Sequence, residues 1–548
     1  MKNIVLSILG LMLCGLMNGQ ITNEGFPKSW EMKSKQNVSP VVMPSFDLKK
    51  MQTEDVENDK SIEKPFRFGH EFKVDLGFKN AGSWDVLPNG DRIWRLQLIS
   101  KGAKSINVVF NTYRVPTGAT IYLYNNDRTD VLGAYTNVFN RPDEMLGTWM
   151  VAGENIWIEY YEPKKVSGQG ELNLSRVVHG YRSITDIEVQ EKALNDSGDC
   201  NRDVDCPIGN DFDSIKDRLK HSVAFIIMQG FVCSGNLINN TNNDRAPFFL
   251  TANHCDAGDE STWAFRFNWI SPDPSCATTA NSTDAVENQT TSGATRLATN
   301  SESDVRLLRL DGGLDDTWDL EFAGWDRSGD IPTGFTVGIH HPAGDIMKVC
   351  RDDAAPTKFI RDFNGNTTTE FWKIDDWDLG VTEGGSSGSA LFDSKGRIIG
   401  QLAGGFAACN GTNDNGTEDW YGRFDVSWDF GTTDATRLSN WLDPQNTGQT
   451  TLNMLSEGND SGGGDGDGDE VEGIILFPNP TEGMLMISNG SEAVLSYIVF
   501  DVFGKSVSEG RVIGTSEIDL TLLSSGMYFV YIENISEGGD FTRKIIVR

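Results

Sequence analysis

Seven of the eight cysteines fall between positions 200 and 409; the eighth is Cys14. No other feature so restricts what this chain can fold into. Disulfides persist in oxidising compartments, so the cluster (Cys200, Cys206, Cys233, Cys255, Cys276, Cys350, Cys409) reads as one cross-linked, exported domain. The odd count leaves one thiol over. Zinc is the rival use of clustered cysteines, but the sequence has no C-x-x-C pair and no HExxH, so no metal site is expected.

The N-terminus agrees with export. Lys2, an apolar run from Ile4 to Met17 and the "NGQ" that follows read as a signal peptide over residues 1–19, too short in its apolar core to span a bilayer. A lipid anchor at Cys14 would want a small residue before it, and Leu13 is bulky. No later apolar run reaches about 18 residues, so no stable membrane span is expected. The formal net charge of −32 argues against nucleic acid, whose phosphates need a basic surface, and suits a soluble extracellular protein.

A chain of 548 residues should hold several domains. Residues 20–192 form a first region: 21–65 are polar and aperiodic, and from about 66 a β-rich domain follows. Its runs "RIWRLQLI", "SINVVFNTY", "TIYLYN" and "IWIEYY" alternate between turn residues. This region has no cysteine and no clustered catalytic side chains, so a pro-domain is expected, with a carbohydrate-binding sandwich as the alternative. Residues 193–455 alternate short apolar runs with Gly, Asn and Asp turns, which suits a two-barrel or sandwich all-β domain. The segment "DATRLSNWLDP", 434–444, predicts one closing helix with Pro444 as its stop. Residues 456–473 are a Gly/Ser/Asp linker whose "DGDGD" lacks the full EF-hand spacing, and 474–548 form a small strand-rich domain.

Three positions carry the chemistry. His254 follows an apolar run in "FFLTANHCD", with Cys255 beside it to fix the backbone. Fifty positions on, Asp304 precedes the half-buried run "VRLLRL", where a carboxylate can hold an imidazole tautomer through Nδ1–H. The stretch "TEGGSSGSALF" (382–392) then offers Gly-x-Ser-Gly at Gly385-Ser386-Ser387-Gly388. Acyl transfer needs an attacking oxygen and two convergent backbone N–H groups at one tight bend, which makes Ser387 the candidate nucleophile and the N–H groups of Gly385 and Ser387 the candidate oxyanion hole. Ser386 and Ser389 are supporting neighbours. Each signal alone has a bland reading: a lone histidine, a turn aspartate, a Gly/Ser turn. Together they stand in the order His, Asp, Ser, which differs from the orders of subtilisin and the α/β-hydrolases. His340 and His341 are adjacent, so on a strand they face opposite ways and make a poor chelate.

Here the sequence resembles a family. "CSGNLINNTNNDRAPFFLTANHC", "AGWDRSG", "IHHP", "GVTEGGSSGSALF", "GQLAGG", "WYGRFDVSW" and "RLSNWLDPQNTG" are similar to the lysyl endopeptidases, secreted bacterial relatives of the chymotrypsin-like serine proteases. The resemblance covers about 200–448. It implies an all-β, chymotrypsin-like double β-barrel, the triad His254, Asp304 and Ser387, no cofactor, and protein or peptide substrates cut through an acyl-enzyme. It also implies the disulfides Cys200–Cys409, Cys206–Cys276 and Cys233–Cys255, which leave Cys350 free or intermolecular.

Specificity follows from the same resemblance. Trypsin places an aspartate six residues before its nucleophile; here Val381 stands there. Lysyl endopeptidases use an aspartate after "GQL.GG", which Asp419 in "TEDWYGR" matches, so Asp419, Ala403, Gly404 and Gly405 are expected to bind substrate and to favour lysine. Arginine or broader basic specificity is the alternative. Ala403 stands where the family has histidine, Phe363 or a gap where it has tryptophan, and Glu418 could shift the register by one. Lys192, eight residues before Cys200, suggests self-cleavage to begin the mature chain at Ala193.

At the other end, "FPNPTEG", "DVFGK", "LSSGMYF" and the basic last strand resemble the C-terminal sorting domain of type IX secretion cargo. That implies a small β-sandwich, engagement of the type IX secretion machinery, and passage through periplasm and outer membrane to a secreted or cell-surface location. A monomer is expected. An inactive protease-like surface adhesin is the reading from another functional class, and it would need a broken triad.

Overall fold

A computed structural model describes residues 25–33, 35–59, 64–182, 197–285, 287–361, 368–455 and, with short gaps, 474–547. The signal-peptide stretch, Lys192, Ala193, Phe363 and the "DGDGD" linker lie outside the described residues. Two compact units are present, ending and beginning at Leu455 and Ser456.

In the first unit, residues 25–182 make two facing sheets. One is built on Arg92–Ile99, Asn155–Glu162, Thr120–Asn125 and Val131–Tyr135; the other on Gly69–Gly77, Glu171–Gly180 and Ser105–Arg114. Alternation along these strands sends Trp94, Leu96, Leu98, Ile106, Val108 and Phe110 into one core. That core does not stop at the sandwich. Trp149 packs edge-on against Phe225 and Trp269, with ring centroids 5.6 and 5.3 Å away, so the sandwich is welded to the cysteine-bearing region.

The cysteine-bearing region holds two successive antiparallel sheets, the layout of a chymotrypsin-like double barrel. The first runs Gln289–Ser292, Ala264–Phe267, Val223–Met228, Phe231–Leu237, Phe248–Ala252, Val305–Leu310, Ala294–Asn300. The second is built on Lys348–Asp352, Thr336–His340, Ala390–Phe392, Ile398–Gly405, Asp419–Arg423 and Glu370–Ile374. A shared apolar layer that includes Leu250, Leu307, Val337, Ile339, Phe392 and Phe424 lies between them. Disulfides Cys200–Cys409, Cys206–Cys276 and Cys233–Cys255 are formed, each worth about 2–4 kcal/mol by restricting the unfolded chain. Cys350 is free and wholly buried, beyond the reach of another chain.

Two local expectations change. The single helix over 434–444 is instead a 3-10 turn, Asp434–Thr436, and a short α-helix, Ser439–Leu442, separated by an extended Arg437. The capping box between Thr433 and Thr436 closes the first turn, while Arg437 reaches back to the Gly431 carbonyl at 2.7 Å. In the aperiodic stretch before residue 66, Leu48–Asn58 is a helix capped by Asp47. Its buried residue is Asp55, held by Arg67 and by the Tyr181 hydroxyl at 2.7 Å each, so polar contacts rather than an apolar stripe fix it.

The second unit stacks Ile474–Phe477, Met484–Asn489 and Ser516–Asp519 with a four-stranded sheet, Ser506–Ile513, Val494–Asp501, Gly526–Asn534, Asp540–Val547. Leu485, Ile487, Leu495, Val499, Val530, Ile532 and Ile545 are buried in its core. This is the small β-sandwich expected.

Candidate active site

His254 and Asp304 come from the first sheet. Phe248–Ala252 pairs with Val305–Leu310, with Ala252 opposite Val305, so the residues just past one strand meet those just before the other. Asp304 is left-handed (φ 55°), a conformation aspartate tolerates better than most residues, and it turns the carboxylate inward. Its Oδ1 accepts the His254 backbone N–H at 2.9 Å, and its Oδ2 lies 2.7 Å from His254 Nδ1. Burial pushes the Asp304 carboxyl up, against the pull of His254. Gln401, from the second sheet, donates to the carbonyls of Ser303 and Asp304 at 2.9 and 3.1 Å, pinning this loop across the interface.

Ser387 lies on the loop entering Ala390–Phe392 of the second sheet. Gly385 and Gly388 take φ of 99° and 83°, the left-handed region that favours glycine, and a Cβ on Gly388 would sit 2.6 Å from the Ala252 nitrogen. The loop is tied to the first sheet: Ser234 N–H donates to the Ser387 carbonyl at 2.9 Å and Ser234 Oγ–H to the Gly385 carbonyl at 3.0 Å. Cys255, the neighbour of His254, brings its sulfur within 3.7 Å of the Ser387 carbonyl. His254 Nε2 is buried with no hydrogen-bond partner among the described residues. The loops bearing His254, Asp304 and Ser387 therefore converge at the seam between the two sheets.

Ser386 points the other way. Its hydroxyl lies 2.7 Å from His340 Nδ1 and accepts the Glu383 N–H at 3.1 Å, which braces the bend from beneath. Burial drives His340 and His341 down to about 3, so both stay neutral and structural. Glu383, half-buried, accepts the Gly198 N–H and the Asn201 side-chain N–H at 3.0 Å each. The sequence reading gave Gln401, His340 and Glu383 no role in the site, although all three lie inside quoted stretches, "GQLAGG", "IHHP" and "TEGGSSGSALF".

Beside Ser387 is a cleft of about 280 Å³ whose lining includes Thr382, Leu402, Gly404, Gly405 and Ala407. Asp419 stands behind that wall, fully buried. Its Oδ2 accepts the Trp377 indole N–H and the Thr382 hydroxyl at 2.7 Å each. A Cβ on Gly405 would fall 1.7 Å from Asp419 Oδ1, so glycine there makes room for the carboxylate directly behind the cleft wall. Burial raises the Asp419 pKa to about 7, although its hydrogen bonds pull the other way. Ala403 does not line the cleft; it is buried against Phe371. Asp419, not Glu418, carries the Trp377 and Thr382 bonds.

Residues 194–422 match the family described as lysyl endopeptidase, C-terminal domain, and residues 475–548 match the secretion system C-terminal sorting domain. The protein described as lysyl endopeptidase in Pseudomonas aeruginosa is 23% identical over 358 residues, 62% of this chain and 75% of that protein. Among solved structures, Rv3671c from M. tuberculosis in an inactive form is 15% identical with a TM-score of 0.26, covering 39% of this chain and 85% of that one. The thermostable serine protease AL20 from an extremophilic microorganism is 14% identical with a TM-score of 0.26, covering 38% and 92%. The sorting domain implies export by its secretion machinery, to a secreted or cell-surface location; among the described residues no helix is long and apolar enough to cross a membrane. The chain is accordingly a serine peptidase, similar over residues 194–422 to the lysyl endopeptidases and over residues 475–548 to secretion sorting domains.

Proposed function

We propose that the mature protein is a monomeric endopeptidase that cuts on the carboxyl side of lysine. His254 Nε2 takes the proton of Ser387 Oγ as that oxygen attacks the carbonyl carbon. Asp304 holds the Nδ1–H tautomer and steadies the imidazolium, and the N–H groups of Gly385 and Ser387 receive the oxyanion. His254 then returns the proton to the leaving amine and activates the water that frees the acyl group. Residues 20–192 act as pro-region, cleavage after Lys192 yields a protease of 193–455, and 456–473 tether the sorting domain of 474–548.

The observation that carries the lysine reading is Asp419. Its hydrogen-bond partners are an indole N–H, a hydroxyl and a backbone N–H, all neutral, so it is a buried carboxylate short of a cation, one glycine behind the cleft beside Ser387. An ammonium entering that cleft would supply the missing charge. Matched lysyl, arginyl and glutamyl amides given to the mature protein test this: lysyl hydrolysis at least tenfold above arginyl is expected. Equal rates would point to broader basic specificity, and no hydrolysis together with no fluorophosphonate labelling of Ser387 would leave only an adhesin.

A further inference from the structure

The stretch "IHHP" leads into a loop that takes no part in the steps above, yet this loop packs directly against the bend that carries Ser387. It runs from His341 to Asp345, and Ala343 within it is left-handed, φ 52°, which a non-glycine residue keeps only where its surroundings impose it. The Ala343 N–H donates to the Gly384 carbonyl at 2.5 Å. In a trans peptide the C=O and N–H point opposite ways, so holding that carbonyl against the loop turns the Gly385 N–H away from it. A second contact follows one residue on. The His341 N–H donates to Ser234 Oγ, and that hydroxyl donates to the Gly385 carbonyl, at 3.0 Å each. A Cβ on Gly385 would meet the His341 carbonyl oxygen at 2.9 Å and the Gly344 nitrogen at 3.1 Å, so loop and bend touch with no room for a side chain between them. Among the described residues, the N–H groups of Gly385 and Ser387 donate to no acceptor, which leaves both for an oxyanion.

Asp345 fixes the loop from within. Its N–H donates to the Pro342 carbonyl at 2.9 Å, and its carbonyl lies 2.9 Å from His341 Nδ1, so the turn is closed at both ends. Its buried carboxylate accepts the Ile346 N–H on Oδ1 at 2.7 Å and the Ser197 hydroxyl on Oδ2 at 2.6 Å. Lys348 Nζ stands 3.3 Å from the same Oδ2. That lysine is buried too, and it bonds Asp203 Oδ1 at 2.6 Å. The ion pair therefore ties the loop both to the strand Lys348–Asp352 and to residues 197–203. Asp345 does not line the cleft beside Ser387, so it can reach the reaction only through this loop.

We propose that Asp345 is a positioning residue for the oxyanion hole: paired with Lys348, it holds loop 341–345 so that Ala343 keeps the Gly384–Gly385 peptide turned with its N–H toward the reacting carbonyl. This rests on the reading of Ser387 as nucleophile with the Gly385 and Ser387 N–H groups as oxyanion donors. The test uses protein secreted from the full chain, matured where necessary by added native protein that is then removed. Two ligands separate the roles. Addition of Ser387 Oγ to a lysyl trifluoromethyl ketone moves the carbonyl π pair onto oxygen and the hydroxyl proton to His254, so the adduct carries an oxyanion; n-pentylamine fills the pocket without one. Asp345→Ala should lower kcat on a small lysyl amide by at least about tenfold, with KM within about threefold. It should weaken the ketone by a similar factor and leave the amine within about twofold, and the adduct, followed by ¹³C NMR, should ionise at higher pH than in the native protein. Asp345→Asn, which keeps the shape but turns a donor toward Lys348, should show a smaller loss of the same pattern and serves if the alanine variant does not fold. A fall in kcat with ketone affinity unchanged, or ketone and amine affinities falling together, overturns the inference while leaving the protease reading standing. Full activity in Ser387→Ala overturns that reading and the inference with it.

Discussion

Asp304 and Asp419 are the same residue type, both fully buried, and they differ in the company they keep. Asp304 faces the imidazole of His254 and takes a backbone N–H, so its charge has a partner inside the protein. Asp419 faces an indole and a hydroxyl, so its charge has none, and burial holds its pKa near 7. A buried carboxylate that faces an imidazole can steady the charge that forms there in catalysis; one that faces only neutral groups can take a cation from outside. Under the proposed function, this contrast separates a carboxylate that organises the reaction from one that selects the substrate, and substitutions should resolve the two.

The largest effect belongs to Asp304. With Asp304→Asn, the group facing His254 Nδ1 no longer favours the tautomer that leaves Nε2 free as a base. A loss of about 10⁴ in kcat is expected, with KM nearly unchanged, on every substrate alike. Steady-state kinetics on lysyl and matched norleucyl amides checks it; a loss confined to lysyl substrates would reverse the two roles.

Asp419→Asn should do the opposite. Removing a buried charge that meets a desolvated ammonium costs about 2–5 kcal/mol, or roughly 30- to 4,000-fold in kcat/KM, on lysyl substrates only. Hydrolysis of the norleucyl amide, which keeps the side-chain carbons of lysine without its ammonium, should change by less than about threefold. An equal fall on both substrates would make Asp419 a structural support instead of a selector.

The two carboxylates were unequally legible in the sequence. Asp304 could be found from order and position, because a His…Asp…Ser series needs an acidic residue just before a buried strand. Asp419 had no pattern of its own; it was reached through resemblance, since the partners that define it, Trp377 and Thr382, lie 42 and 37 positions away. Alternation foretold the strands of the sandwich, and short apolar runs between Gly, Asn and Asp turns foretold the two sheets, because both are local signals. The Leu48–Asn58 helix went unseen because its anchor is a polar contact from Asp55 to Arg67 and Tyr181, which no periodicity encodes. The shared core joining Trp149 to Trp269 was invisible for a similar reason: either tryptophan alone suits the interior of its own domain.

The smallest expected effect, and the most discriminating, is the pH dependence of that contrast. Asp419 has an ordinary value of 3.8 and a folded value near 7, so below neutrality the empty pocket is protonated and cannot attract an ammonium. KM for the lysyl amide should fall as pH rises through about 7 and level off above it. Groups that act on every substrate cancel in the ratio of lysyl to norleucyl kcat/KM, which therefore isolates Asp419. The stability of the free protein should run the other way. Between 3.8 and 7 the folded state keeps a proton that the unfolded chain has released, so this group's contribution is fully present below 3.8 and is lost as pH rises through 7. Relative to Asp419→Asn, which carries no charge at any pH, the native protein should therefore lose Tm between pH 4 and 8, and a lysine-like amine filling the pocket should restore part of that loss. A Tm difference independent of pH would mean that Asp419 is already ionised and paired in the free protein, which would remove the contrast with Asp304 on which the proposed selection of lysine depends.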